Sequence, residues 1–167
     1  MKKRQGKSSA YRLAIICSLC IYLLCGCQKK SYADDRTARE LADVAIADLQ
    51  TQMLYLEAEP NVLDGYFPLP DSVTDATVRF SADGNDLDEF GIYHIKDGNP
   101  SELASLLQGY LSSFYETYNA NYLPEEIPKL RDAEVKVFGN YVAYAMLAEP
   151  YRTQFFQSID HALQVKK

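Results

Sequence analysis

The chain has 167 residues, a length that fits one domain together with a targeting segment, and two domains with separate cores are not expected. Its formal charge is −6, but the first 26 residues hold five basic side chains and no acidic one, so the remainder carries 12 basic residues against 23 acidic ones. A surface this negative repels phosphate backbones and offers no basic stripe, and we therefore exclude nucleic acid as a partner.

The first 26 residues have the pattern of a secretory signal. A basic segment from Lys2 to Arg12 precedes the uncharged run "LAIICSLCIYLL", Leu13 to Leu24. A membrane-spanning helix needs about 20 apolar residues, whereas here charge returns at Lys29. We therefore predict a cleaved signal peptide at residues 1–26, and an uncleaved anchor helix is the alternative.

The end of this segment, Leu24-Cys25-Gly26-Cys27, resembles the lipobox of bacterial lipoproteins, which has an aliphatic residue, two small residues and a cysteine. The resemblance implies that the Cys27 thiol receives a diacylglyceryl group, that cleavage follows Gly26, and that acylation of the new amino terminus can follow. Two acyl chains anchor durably where one binds reversibly. We predict a lipid-anchored protein on the extracytoplasmic face of the cell membrane, with a polar tether at 27–36 and one domain at 37–167.

The other cysteines give no sign of redox or metal chemistry. Cys17 and Cys20 have C-x-x-C spacing, but they lie inside the apolar run, where partner ligands are not expected. Cys27 is the last cysteine of the chain. After cleavage and acylation no thiol would stay free, which excludes cysteine redox catalysis.

The first half of the mature chain is predicted to contain one helix and one hairpin. Apolar residues at three- and four-residue steps predict an amphipathic helix from roughly Thr37 to Ala58, followed by a proline-containing loop. Two alternating segments rich in β-branched residues, Ser72–Asp83 and Glu89–Lys96, predict strands that turn near Gly84-Asn85.

The second half repeats the order of hairpin and helix. Asn99-Pro100-Ser101-Glu102 has the residues of a helix start, and the leucine-rich face that follows predicts a helix at the centre of the core. Ala133–Leu147 predicts a hairpin with a Gly139-Asn140 turn, and Pro150 can open a last helix with Tyr151 inward. The order αββαββα predicts an α+β fold with a four-stranded, mostly antiparallel sheet and about three packed helices.

No residue is predicted to be catalytic, cofactor-binding or metal-ligating. Asp86, Asp88 and Asp97 approximate the spacing of an EF-hand calcium loop, but Phe90 occupies a ligand position and strands flank the loop. We therefore interpret the segment as a solvated acidic turn.

Other ionisable and aromatic residues allow only broad interpretations. His94 and His161 are the only histidines and share no pairing motif, and the adjacent acids Asp34-Asp35 and Glu125-Glu126 are interpreted as solvated charge. Glycoside hydrolysis needs two carboxyl groups on either side of the scissile bond, and such a pair cannot be identified from sequence. The tyrosines of the second half are predicted mainly to pack in the core and its rim, although a surface for peptides or sugars is the alternative.

Three short segments resemble an uncharacterised domain family carried by small lipoproteins of anaerobic Gram-positive bacteria. They are Glu89 before "FGIYHIK" with Asp97 after it, Tyr122-Leu123-Pro124, and Phe138-Gly139-Asn140-Tyr141-Val142. The resemblance extends from about Leu41 to Leu163. It implies a lipid-anchored extracytoplasmic domain and supplies neither an activity nor active-site residues.

Together these observations predict a non-catalytic binding or interaction module at the cell envelope, which needs no cofactor and has an envelope protein, peptide or glycan as its partner. The alternative is a carboxylate-dependent envelope hydrolase, which requires a deep cleft lined by two acidic residues several Å apart. A solute-binding subunit is a third option, although such proteins are generally two-lobed and larger than one domain. Both the hydrolase and the solute binder need a concave pocket with convergent polar groups, and a smooth surface would exclude both.

Overall fold

The computed structural model of the chain describes residues 30–49, 51, 53–59, 68–119 and 121–165. The predicted signal peptide, the Cys27 attachment site and the first residues of the tether lie outside these ranges. No helix within the described ranges has both the length and the apolar character that a membrane crossing requires.

A five-stranded sheet with helices on both sides forms the described part of the chain. The strands follow the spatial order β1-β2-β3-β5-β4, and each neighbouring pair is antiparallel. The elements are α1 (Ala38–Leu49), β1 (Tyr55–Glu57), β2 (Val73–Ser81), β3 (Glu89–Ile95), α2 (Pro100–Thr117), a 3₁₀ turn (Pro124–Glu126), α3 (Ile127–Arg131), β4 (Glu134–Phe138), β5 (Tyr141–Met146) and α4 (Tyr151–Leu163). The predicted α+β class is confirmed.

Successive side chains of each strand point to opposite faces of the sheet, and each face buries its own core. Phe90 and Ile92 of β3 pack with α1 and α4 on one face, which we call the α1/α4 face. Tyr93 of β3 and Tyr144 of β5 pack with α2 on the other, the α2 face. Helices therefore cover the sheet from both sides.

The first helix is shorter than predicted, and its expected last turns form an extra strand. Thr37 and Glu40 cap the helix reciprocally, each side chain bonding the other residue's backbone N–H, but α1 ends at Leu49. Tyr55–Glu57 instead pairs with β2 as the edge strand β1, so the sheet has five strands rather than four. Leu56, which extended the helical pattern, is 46% exposed. In this segment, pairing with β2 and burial of Tyr55 against Phe90 favour a strand over the helix that the apolar periodicity predicts.

Both predicted hairpins are confirmed, as is the start of the long helix. The β4–β5 turn places Gly139 at φ +61°, a left-handed conformation that suits glycine. Asn99 accepts a 3.0 Å hydrogen bond from the backbone N–H of Ser101, with Pro100 in the first helical position. The helix is not the centre of the core, however, because the larger cluster lies on the α1/α4 face.

The segment after α2 and the start of α4 differ from the prediction in detail. Ile127–Arg131 forms the additional short helix α3, which brings the helices within the described ranges to four. In α4, Tyr151 is exposed although it was predicted inward, because Arg152 turns towards the fold and forms ion pairs with Glu134 and Glu149. The helix ends at Leu163, which is buried as predicted.

The chain contacts the fold before the first helix begins. Tyr32 forms an isolated bridge with Gln164, and its hydroxyl donates a 2.8 Å hydrogen bond to Asp160. The Tyr32 ring meets Phe138 edge-on, with centroids 5.9 Å apart. Residues from Ser31 onward, which include part of the predicted tether, therefore belong to the same compact unit as the domain.

Candidate functional site

A half-open cavity of about 550 Å³ lies on the α2 face, at the end of the sheet that holds β1. Its apolar wall is built by side chains from three strands and α2: Leu56, Phe80, Phe114 and Met146. The volume falls within the range of about 300–1,000 Å³ that is typical of small-molecule sites. The cavity is thus large enough to enclose an organic molecule.

The polar part of the cavity is strongly acidic. Six carboxyl residues line it, whereas the lining residues that the structure describes include no lysine, arginine or histidine: Glu57, Glu59, Asp83, Asp86, Asp88 and Glu89. Three of them, Asp83, Asp86 and Asp88, belong to the turn between β2 and β3. An apolar wall therefore faces an acidic turn across the cavity.

Some of the acids that line the cavity form no ion pair within the described ranges, and Glu89 is the most deeply buried of these. It is 7% exposed, and its Oε1 accepts hydrogen bonds from the hydroxyls of Tyr144 at 2.6 Å and Tyr110 at 2.9 Å. Burial raises the pKa of Glu89, and the two tyrosine hydroxyls oppose that rise. None of the ion pairs found in the described ranges includes Glu89.

The strand pattern explains how Glu89 and Tyr144 meet. Glu89, Gly91 and Tyr93 alternate on the α2 face of β3, and Gly91 lies opposite Tyr144 on β5. A Cβ atom at Gly91 would overlap the Tyr144 ring. Because Gly91 has no side chain, the ring can lie across β3 with its hydroxyl directed at Glu89.

Next to the cavity, Lys129 of α3 holds three carboxylates together. Its Nζ lies 2.7 Å from Asp88 Oδ1, 2.7 Å from Glu126 Oε2 and 3.0 Å from Asp86 Oδ1. Burial alone would lower the pKa of Lys129, but its hydrogen bonds to Asp88, Glu126 and Asp86 raise it well above its usual value. Glu126 also accepts from the backbone N–H of Leu87. This cluster fixes the acidic turn to α3.

The prediction of a solvated acidic turn is therefore wrong for Asp86 and Asp88, although Asp83 in the same turn is exposed. Asp88 is 5% exposed and accepts a 2.9 Å hydrogen bond from the Tyr55 hydroxyl. Burial raises the pKa of Asp88, and the Lys129 ammonium opposes the rise. Asp97 lies beyond the other end of β3, so it does not join Asp86 and Asp88. Within the described ranges no group of histidine, cysteine and acidic side chains is placed to hold a metal ion.

The other residues singled out in the sequence lie apart from the cavity. His94 Nε2 is 2.6 Å from Asp34 Oδ1, and the His94 ring stacks on Tyr141 with centroids 4.4 Å apart. Asp35, Glu125 and His161 are exposed, while Glu126 is buried beside Lys129 rather than solvated.

The predicted use of tyrosine in packing is confirmed for part of the set. Tyr141 and Tyr144 are buried in the two cores, whereas Tyr115 and Tyr122 are exposed. Tyr110 of α2 lies at the boundary, because its ring packs against the core of the α2 face and its hydroxyl donates a hydrogen bond to Glu89. Tyrosine thus serves both the core and the polar contacts beside the cavity.

An antiparallel sheet between helical layers, with an acid-lined cavity at one end, defines this protein as a small α+β domain that carries a candidate ligand site. The chain matches the family model of the domain of unknown function DUF4358 over residues 47–147, more than half of its length, and it belongs to that family. Searches of curated proteins and of solved structures found no match.

The family match confirms the predicted resemblance to a domain of unknown function, over a shorter range than Leu41–Leu163. It begins inside α1 and ends just after β5, so α4 lies outside it. All the cavity-lining residues named above, from Leu56 to Met146, fall inside the match. The candidate site is therefore part of the family domain itself.

Proposed function

We propose that this protein is a lipid-anchored, extracytoplasmic binding module that captures a small molecule in the acid-lined cavity. Cleavage after Gly26 and acylation of Cys27 would attach it to the outer face of the cell membrane. The lipobox-like segment and the basic, apolar leader support that location. So does the resemblance to a domain family carried by small lipoproteins of anaerobic Gram-positive bacteria.

The cavity is the observation that carries the binding function. It combines a volume of about 550 Å³, an apolar wall and a few buried polar groups, which is the usual composition of a ligand site. The Lys129 cluster and the tyrosine hydroxyls hold its acidic side in place. A site held in this way loses little conformational freedom when a ligand enters.

Metabolic labelling with a fatty-acid probe tests the anchor. Label should be lost in Cys27→Ala and retained in Cys25→Ala, because only the last residue of the lipobox is acylated. Mass spectrometry of the native chain should then find an acylated amino terminus at Cys27. An intact, unacylated Met1 terminus would contradict the proposed location.

Co-purification tests the cavity. Ala82 lines its mouth and is exposed, so Ala82→Trp should narrow the entrance without disturbing the core. The matched control is Gln157→Trp on the exposed surface of α4. Small molecules that accompany the native chain and the control, purified from the cells that make them, should be missing from Ala82→Trp when measured by mass spectrometry. Identical profiles for all three proteins would contradict a ligand site here.

A carboxylate-dependent envelope hydrolase is the second candidate, and Glu89 is the observation that favours it. A buried carboxyl group with a raised pKa beside a cavity has the character of a general acid. If the native chain carried a cleaved product while Glu89→Gln carried the intact molecule, the hydrolase would replace the binding module.

A further inference from the structure

We infer that the cavity takes a small organic cation, an ammonium group joined to an apolar body, with the ammonium group beside Glu89. This inference rests on the proposed function, because it names the ligand class of the same cavity. It follows from the charge balance of the lining, the position of Glu89 and the apolar wall.

The lining has more negative charge than its surroundings neutralise. Glu57 forms ion pairs with Arg39 and Arg79, and Asp86 and Asp88 share Lys129. In the part of the chain that the structure describes, the other three lining acids take part in no ion pair: Glu59, Asp83 and Glu89. The unpaired carboxylates give the cavity a negative electrostatic potential, which attracts a cation and repels an anion.

Glu89 is the carboxyl group of the lining that a bound cation would contact directly. A buried carboxylate without a counter-charge is costly, and a bound cation would supply that charge. Both tyrosine hydroxyls bond Oε1, so the second oxygen, Oε2, receives neither of them. Tyr110 and Tyr144 therefore orient the carboxyl group while leaving one oxygen for a ligand donor.

The rest of the cavity selects an apolar body rather than a bare ion. Leu56 and Met146 offer aliphatic surface, and Phe80 and Phe114 offer aromatic rings, a kind of side chain whose faces also attract ammonium groups. An inorganic cation would leave this surface unused. An amine carried on a ring or an alkyl chain would use both sides of the cavity.

The chain contains no tryptophan, so a single introduced tryptophan can report on the cavity. Phe114→Trp places the reporter in the wall, Phe80→Trp gives a second reporter from the sheet, and Gln157→Trp is the control on α4. The full chain in detergent is titrated with 2-phenylethylamine, 2-phenylethanol and 3-phenylpropionate. These probes share one ring and differ in charge.

We expect a saturable change of Phe114→Trp fluorescence with the amine, at least about tenfold weaker binding of the alcohol, and no binding of the carboxylate. Gln157→Trp should not respond. Adding Glu89→Gln should weaken amine binding about tenfold. If that variant does not fold, Asp83→Asn at the exposed rim should still weaken it a few-fold.

Equal binding of amine and alcohol, amine binding that is unchanged by Glu89→Gln, or no response to the amine from either reporter would each overturn the inference. These results would not decide the proposed binding function, which the Ala82→Trp experiment tests separately. It would stand if Ala82→Trp still lost a co-purified molecule, which would then bind without an ammonium group beside Glu89.

Discussion

The hydroxyl of Tyr144 donates a 2.6 Å hydrogen bond to Oε1 of Glu89, which lies 55 positions earlier in the chain. Both residues are buried, and pairing of β3 with β5 brings them together. Burial and the nearby Glu89 carboxyl raise the pKa of Tyr144 well above its usual value, so the phenol keeps its proton and remains a donor. Of the two groups, Glu89 is therefore the one whose protonation state changes with pH.

The stability of the protein should depend on pH through Glu89. Because the pKa of Glu89 is raised above its ordinary value of 4.5, the folded protein holds a proton that the unfolded chain has lost in the window above about pH 4.5. The free energy of unfolding therefore falls as pH rises through that window. Glu89→Gln removes this contribution, so the variant should gain stability relative to the native chain as pH rises. Denaturant unfolding of both proteins over a pH series measures the difference.

Asp88 also has a raised pKa, but it is present in both proteins and cancels in that difference. Parallel stability curves for native chain and variant would show that Glu89 is not protonated differently in the two states.

Removing the lysine from the buried cluster should be strongly destabilising. Lys129→Met leaves Asp86, Asp88 and Glu126 without their shared cation, which we expect to cost about 3 kcal/mol at neutral pH. The loss should shrink in acid as the carboxylates take up protons. Chemical denaturation measures both effects. The control Lys136→Met, at an exposed pair with Glu134, should cost less than about 1 kcal/mol, and equal losses would contradict the role of the cluster.

A methyl group at Gly91 should disturb the Tyr144 ring. Its Cβ would overlap that ring, so Gly91→Ala should lower the free energy of unfolding by about 1–3 kcal/mol. Gly84 has open space around it, and Gly84→Ala should change stability by less than about 0.5 kcal/mol. Thermal unfolding of the two variants tests the comparison. A native-like Gly91→Ala protein would mean that Tyr144 can move without cost.

The docked segment before α1 should come loose when its tyrosine is removed. Tyr32→Ala deletes the hydrogen bond to Asp160 and the ring contact with Phe138. We expect faster proteolysis at residues 31–36, read by mass spectrometry of the fragments, with most of the global stability retained. Tyr122→Ala, at a more exposed tyrosine, is the control and should not change cleavage there. Unchanged cleavage in Tyr32→Ala would show that other contacts hold the segment.

The parts of the fold that sequence predicted are those with local signals. The Asn99-Pro100 start and the Gly139-Asn140 turn depend on residues adjacent in the chain, and both are confirmed. β1 depends on pairing with β2 about 25 positions later, and its residues also fitted a helical period. Local pattern could not choose between the two.

The candidate site was missed because its geometry is long-range. Glu89 meets Tyr144 from another strand and Tyr110 from α2, and Lys129 reaches Asp88 from α3. One signal was available. Glu89 is a carboxylate at the start of a strand whose next residues are almost all apolar, a position where a charged side chain is costly unless it is held by partners.

The contact of Tyr32 with Asp160 has a geometric consequence for a protein acylated at Cys27. Between Cys27 and Ser31 a fully extended backbone reaches at most about 14 Å. That distance is less than two Debye lengths at physiological ionic strength, about 8 Å each. The first residues of the acidic domain would thus stay close enough to an anionic bilayer to be repelled by the part of the headgroup field that salt leaves unscreened.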